Sequence, residues 1–228
     1  MGKNLRQQRR GRGFSPRYAS PGHRFAGKPS YPKKMQEGVV EDIIHAPGRS
    51  TPLALADFSG EKHLLIPHGN MRIGQRISGD FGEGNVLQLR DIPEGTKIYN
   101  IEIIPNDGGR LCRSSGAFAT MITRGNEKCV VLMPSKEKKV LPGLCRATIG
   151  TVASSGRVDK PFMKAGNMFF AMRTRNKLWP RTSGVHMNPV NHPFGGQTRP
   201  GKHKTVSRHM PPGKKVGSIS PRRTGKRK

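Results

Sequence analysis

Histidines, asparagines and lysines crowd the stretch GVHMNPVNHPFGGQTRPGKHK, residues 184 to 204, between glycines and prolines. His186 and His192 with Asn188 and Asn191 could act as a general base with an orienting partner, and His203 and His209 extend the cluster toward a metal site. Both chemistries want support. A base wants an orienting group or an opposed acid, and a zinc centre wants three or four ligands at suitable spacing, often backed by a carboxylate. From residue 160 onward there is no Asp or Glu. The pattern points away from catalysis and from a bound metal. It favours histidines that donate hydrogen bonds to phosphate or ribose while PVNHPFGG shapes a rigid turn. The glycine clusters NDGGR (106–110) and HPFGG (192–196) match neither a P-loop nor a dinucleotide fingerprint, so no cofactor and no small-molecule substrate is expected. Backbone amides near Arg110 remain candidates for phosphate contact.

The charge that surrounds this stretch is unevenly spread. The 228 residues carry a formal charge of +28. Residues 1–35 hold ten Lys or Arg, residues 160–228 hold seventeen, and neither segment holds an acidic residue. All fourteen acidic residues lie in 36–159, where fifteen Lys or Arg leave a net +1. The expected organisation is a basic extension (1–35), a near-neutral folded middle and a second basic extension (160–228). A polyanion is the natural partner of such arms, because phosphate contacts also release condensed counterions. Membrane-surface binding is disfavoured, since no strong amphipathic helix accompanies the charge. Nothing approaches the roughly 18 apolar residues of a membrane span, and MGKNLRQQRRGRG lacks the apolar segment of a secretory signal; a cytoplasmic location is expected. Cys112, Cys129 and Cys145 are spaced as neither a disulfide framework nor a zinc knuckle and read as reduced core thiols.

The elements that must position these residues read as short strands between turn signals. Candidates are 38–45, 52–58, 62–67, 71–77, 117–123, 128–134 and 146–153, together with KIYNIEII (97–104), where alternation would put Tyr99, Ile101 and Ile103 on one face. Such strands could build one sandwich or two small barrels in tandem. The Gly-rich break SGDFGEGN (78–85) favours two barrels, over 36–84 and 85–159. The fold class is thus mainly β with long irregular basic extensions. The arms are too rich in Gly, Pro and charge to build a core and should be disordered when free. KAGNMFFAM (164–172) is expected to form a turn or two of helix docked on the second barrel, and the tail from 210 to run extended.

Arginines and aromatics mixed with a kinked backbone favour folded RNA over a uniform duplex. Arg17, Tyr18, Phe25 and Trp179 could stack on unpaired bases. Phosphate-neutralising candidates in the arms are Arg9, Arg10, Arg12, His23, Arg24, Arg173, Arg175, Arg181, Lys202 and Lys204. A free RNA chaperone or a DNA-compacting protein would share this charge, and an enzyme using His192 is the reading from another class.

Several motifs in order, NIEIIPNDGGRLCRSSG (100–116), RATIGTV (146–152), KAG (164–166), MNPVNHPFGG (187–196) and GKHK (201–204), resemble the universal large-subunit ribosomal protein two family, over about residues 10–205. HPFGG and the short first arm resemble its archaeal or eukaryotic branch, and the small Arg-rich chain its archaeal members. The resemblance implies an OB-like barrel followed by an SH3-like barrel, with basic extensions threading large-subunit ribosomal RNA near the peptidyl transferase centre. It implies roles in assembly and subunit association, other large-subunit proteins as neighbours, and chemistry left to RNA. The RNA-binding positions it implies are Arg110, Arg113, Arg146, Lys164, Met187, Asn188, Pro189, His192, Pro193, Gly195 and Gly196. Phe194 stands where the bacterial pattern has His, and Asn191 replaces the commoner Asp beside His192.

Overall fold

The computed structural model describes residues 3–5, 8, 22–33, 37–196 and 204–222. They belong to two compact units, one of residues 21–165 and one joining residues 1–20 to 166–228.

In the first unit, strands β1 (Gly38–Ile44), β2 (Leu53–Phe58), β3 (Glu61–Leu65) and β4 (Arg76–Ile77) form an antiparallel sheet in the order β3-β2-β1-β4. Inward Val40, Ala54, Ala56, Phe58, Leu65 and Ile77 form its core. A second antiparallel sheet holds β5 (Val86–Gln88), β6 (Lys97–Tyr99), β7 (Ala119–Thr123), β8 (Lys128–Leu132), β9 (Lys138–Pro142) and β10 (Arg146–Ile149), in the order β5-β10-β6-β7-β8-β9. Its core gathers Leu89, Ile92, Ile98, Ile101, Met121, Val131 and Leu141 with the buried Cys129 and Cys145. All three cysteines are free, and burial pushes the Cys112 and Cys145 thiols up to about 11. The architecture is mainly β, consistent with an OB-like barrel followed by an SH3-like barrel. Ala46, Leu53, Ile66, Tyr99 and Val152 form a third cluster between the sheets, where the Tyr99 hydroxyl donates to the Ile66 carbonyl at 3.0 Å.

Two expectations yield to local chemistry, and a strand that was not foreseen joins the sheet. KIYNIEII does not run as one pleated strand, because Asn100 takes a left-handed φ of 49°. Asn tolerates that region, and the strand ends at Tyr99 with Ile98, Tyr99 and Ile101 all buried. In 71–77 only Arg76–Ile77 is strand: the Gln75 side chain accepts from the Arg72 amide at 3.2 Å, closing a turn that leaves Ile73 exposed. Strand β9 hid behind its charge. Its lysines sit at a sheet edge, where exposed charge discourages pairing with another chain.

The first arm is not wholly irregular. Residues 22–33 pack into the first unit, with Tyr31 in the core of the first sheet and the Ser30 amide donating to the Leu64 carbonyl at 3.0 Å.

In the second unit, helix α1 (Ala165–Thr174) is longer than a turn or two, and none of its residues is buried. It ends in a Schellman motif: the Asn176 amide donates to the Arg173 carbonyl at 3.0 Å and the Lys177 amide to the Met172 carbonyl at 2.8 Å, with Asn176 left-handed. The tail from 210 does not simply extend. Strand β11 (Thr205–Val206) pairs in parallel with β12 (Ser218–Ile219), and Val216 between them is buried.

Candidate nucleic-acid interface

The basic residues separate by what their side chains touch. Arg146, which the resemblance implies as an RNA-binding position, is buried and paired within the fold. Its Nη2 donates to Glu102 Oε1 at 2.8 Å, its Nη1 to the Pro32 carbonyl at 2.6 Å, and its guanidinium carbon lies 5.3 Å from the centre of the Tyr31 ring. Glu102 is fully buried and also accepts from the Arg146 amide at 2.8 Å and the Gly108 amide at 3.1 Å. Tyr31 completes the network. Its hydroxyl donates to the Asn100 carbonyl at 2.8 Å and meets Thr148 Oγ1 at 2.6 Å, while burial raises its pKa. A buried charge needs such pairing, so this arginine clamps the first arm to the second sheet.

Arg113 is half committed to the same task. It donates to the Gly109 carbonyl at 2.9 Å and the Pro29 carbonyl at 3.1 Å, and burial lowers its pKa. Arg110, on the same loop, keeps a largely exposed side chain 3.7 Å from Asp107, and Lys164 is exposed. Phe25, expected to stack on a base, instead lies under Arg49, whose guanidinium carbon is 5.6 Å from the ring centre. His23 is exposed and Arg24 partly buried beside it.

In the second unit, Asn188 to Gly196 forms a compact turn. The Asn188 carbonyl accepts from the Asn191 amide at 2.9 Å and the His192 amide at 3.2 Å, and the Gly195 amide returns to the His192 carbonyl at 3.0 Å. Gly195 is required: a Cβ there would strike the Met187 and Asn188 backbone. The His192 ring lies directly over Gly184, where a Cβ would overlap it, and tilts against Phe194 with ring centres 4.9 Å apart. His192 Nδ1 accepts from the Phe194 amide at 3.0 Å, so the neutral ring carries its proton on Nε2. Partial burial lowers its pKa and favours that neutral form.

This turn, the Arg181–Gly184 segment, the first residues of the chain and Val216–Gly217 surround a cavity of about 480 Å³. Arg181, Met187 and His192 are thereby brought together. Asn191, weighed above as an orienting partner for a histidine, lines it as well, and so do Lys3 and Leu5, which no local pattern in the sequence marks; the Lys3 amide donates to the Val190 carbonyl at 2.8 Å. Asn188, Pro189 and Pro193 are exposed on the turn, Gly196 is partly buried, and Arg173, Arg175, Trp179 and Lys204 lie outside the cavity lining. Arg9, Arg10, Arg12, Arg17, Tyr18, Lys202 and His203 lie outside the described residues. Among the described residues no cluster of three or more His, Cys, Asp or Glu is placed to hold a metal.

Comparison with known proteins adds an independent line. Residues 82–215 match the family described as Ribosomal Proteins L2, C-terminal domain. The chain is 48% identical over 243 residues to the large ribosomal subunit protein uL2 of Methanococcus aeolicus, covering all of both chains. It is 48% identical over 242 residues to that of Methanothermobacter thermautotrophicus, again over all of both. The uL2 of Korarchaeum cryptofilum is 43% identical over 239 residues, all of this chain and 97% of the relative. A family match across more than half of the sequence, joined to relatives almost half identical from end to end, establishes that this chain belongs to the ribosomal protein L2 family.

Proposed function

We propose that this protein is a structural RNA-binding component of the large ribosomal subunit, working in the cytoplasm with ribosomal RNA and neighbouring ribosomal proteins as partners. The observation that carries the reading is the arm of residues 160–228, with seventeen Lys or Arg and no acid, in a chain whose relatives are named for that subunit. The barrels supply rigid shape, and the arm supplies phosphate contacts whose affinity rises with the counterions released. The RNA-facing set is Arg110, Lys164, Arg181 and the 187–196 turn, with the arm's remaining cations, while Arg146 serves the fold. The family resemblance extends the role to assembly, subunit association and the surroundings of the peptidyl transferase centre.

The geometry of His192 argues against an enzyme. Its Nδ1 is taken by a backbone amide, and no carboxylate side chain exists in its own unit to orient it as a base. Sedimentation of cell extracts tests the proposal against a free chaperone. The protein should stay with large subunits through a high-salt wash; recovery mainly as a soluble pool would contradict it. In assembled particles, His192→Ala should leave peptide-bond formation in place, whereas its abolition would favour catalysis.

A further inference from the structure

The cavity beside His192 is chemically two-sided. Leu5, Met187 and Val216 give it apolar wall, and Lys3 and Arg181 bring positive charge with no carboxylate in the lining. Asn191 adds an amide that can both donate and accept. At about 480 Å³ it is far larger than a bare phosphate needs and falls within the roughly 300–1,000 Å³ usual for pockets that enclose a small organic group.

Its walls are held in place before any ligand arrives. The Lys3 amide is tied to Val190, the Leu5 amide donates to Gln8 Oε1 at 2.8 Å, and the His192 ring is wedged between Gly184 and Phe194. Such preorganisation lowers the ordering cost of binding.

We propose that this cavity captures one unpaired nucleotide of the bound RNA, with its phosphate on Lys3 and Arg181, its base against Leu5, Met187 and Val216, and its base edge read by Asn191. The assignment rests on the RNA-binding function proposed above and adds to it a discrete site. Apolar wall and paired cations in one enclosure suit a nucleotide, which is itself a flat apolar face joined to an anion. RNA readily splays single-stranded bases into such pockets and is recognised on their exposed edges.

The test uses the full-length protein bound to large-subunit ribosomal RNA, probed with base-edge reagents. In the wild-type complex one single-stranded position should be shielded. Met187→Trp, which fills the cavity, should restore its reactivity and weaken binding by about 5-fold or more, as expected when a base loses its stacking surface. An abasic nucleotide at that position should cause a similar loss, and the two losses should not add. Asn191→Ala keeps the apolar walls intact and removes the contact to the base edge, so it should show the same coupling, and a folding defect in Met187→Trp does not decide the matter. Full additivity for both variants, or no shielded position in a complex that forms normally, would overturn the nucleotide site alone. Failure of the wild-type protein to bind the RNA at all would overturn the broader reading with it.

Discussion

The two units treat positive charge in opposite ways. In residues 21–165 the buried Arg146 faces a fully buried carboxylate, and Lys62 on β3 meets Glu41 at 2.8 Å. Residues 1–20 and 166–228, the other unit, contain no acidic residue at all. Nothing in that unit can neutralise an arginine with a carboxylate side chain. Buried charge is therefore a fastener in the first unit, whereas the cations of the second must find any acidic counter-charge beyond its side chains, and the same residue type carries different consequences on each side.

The sharpest way to break this contrast is to disarm the fastener. Glu102→Ala leaves Arg146 buried without its counter-charge and should destabilise the full-length protein by about 3–5 kcal/mol in urea unfolding. Tyr31→Phe removes the hydroxyl that meets Asn100 and Thr148, and should cost about 1–3 kcal/mol by the same measurement. Arg181→Gln belongs to the other regime. Unfolding should shift by less than about 0.5 kcal/mol, as for most surface changes. The plot of log affinity for RNA against log salt should instead flatten by about 0.7–0.9, the contribution of one phosphate contact.

The smallest effect concerns pH. The folded His192 ring has a pKa below its ordinary value, so the unfolded turn takes up a proton first. The stability contributed by the neutral ring is complete above about pH 6.5 and is lost as pH falls below it. Protonation turns Nδ1 from acceptor to donor and removes the bond from the Phe194 amide. Hydrogen exchange at that amide, corrected for its intrinsic pH dependence, should accelerate on acidification; an unchanged corrected rate would show that the bond does not depend on the neutral ring.

Much of the first unit was legible because its strands obey a simple period. β1, β2, β3, β7 and β8 follow apolar runs bounded by turn residues, and the SGDFGEGN break lies between the last strand of one sheet and the first of the next. β9 escaped because its edge position tolerates lysine where an inner strand would not. The clamp escaped for a deeper reason. Arg146, Glu102 and Tyr31 are far apart in sequence, and it takes the pairing of β10 with β6 together with the packing of residues 22–33 on the first sheet to bring them to one place.

In the second unit the missing acids were plain in the sequence, and they carried the functional reading before any geometry was known. The cavity was not legible. It needs residue 3 beside residue 190 and a glycine under His192, neither of which leaves a periodic trace. A short core also went unforeseen: Leu5 and Val216 are both buried among residues whose composition suggested only an extended arm.

The most direct test of the contrast is hydrogen exchange along the full-length chain, free and bound to large-subunit ribosomal RNA. Amides of residues 166–196 and 204–222 should gain protection on binding, most strongly those without a hydrogen bond inside the unit, while those of the first unit's two β-sheets, already fastened internally, should change little. Equal protection of the arm in both states, or a gain confined to the sheets, would contradict the account.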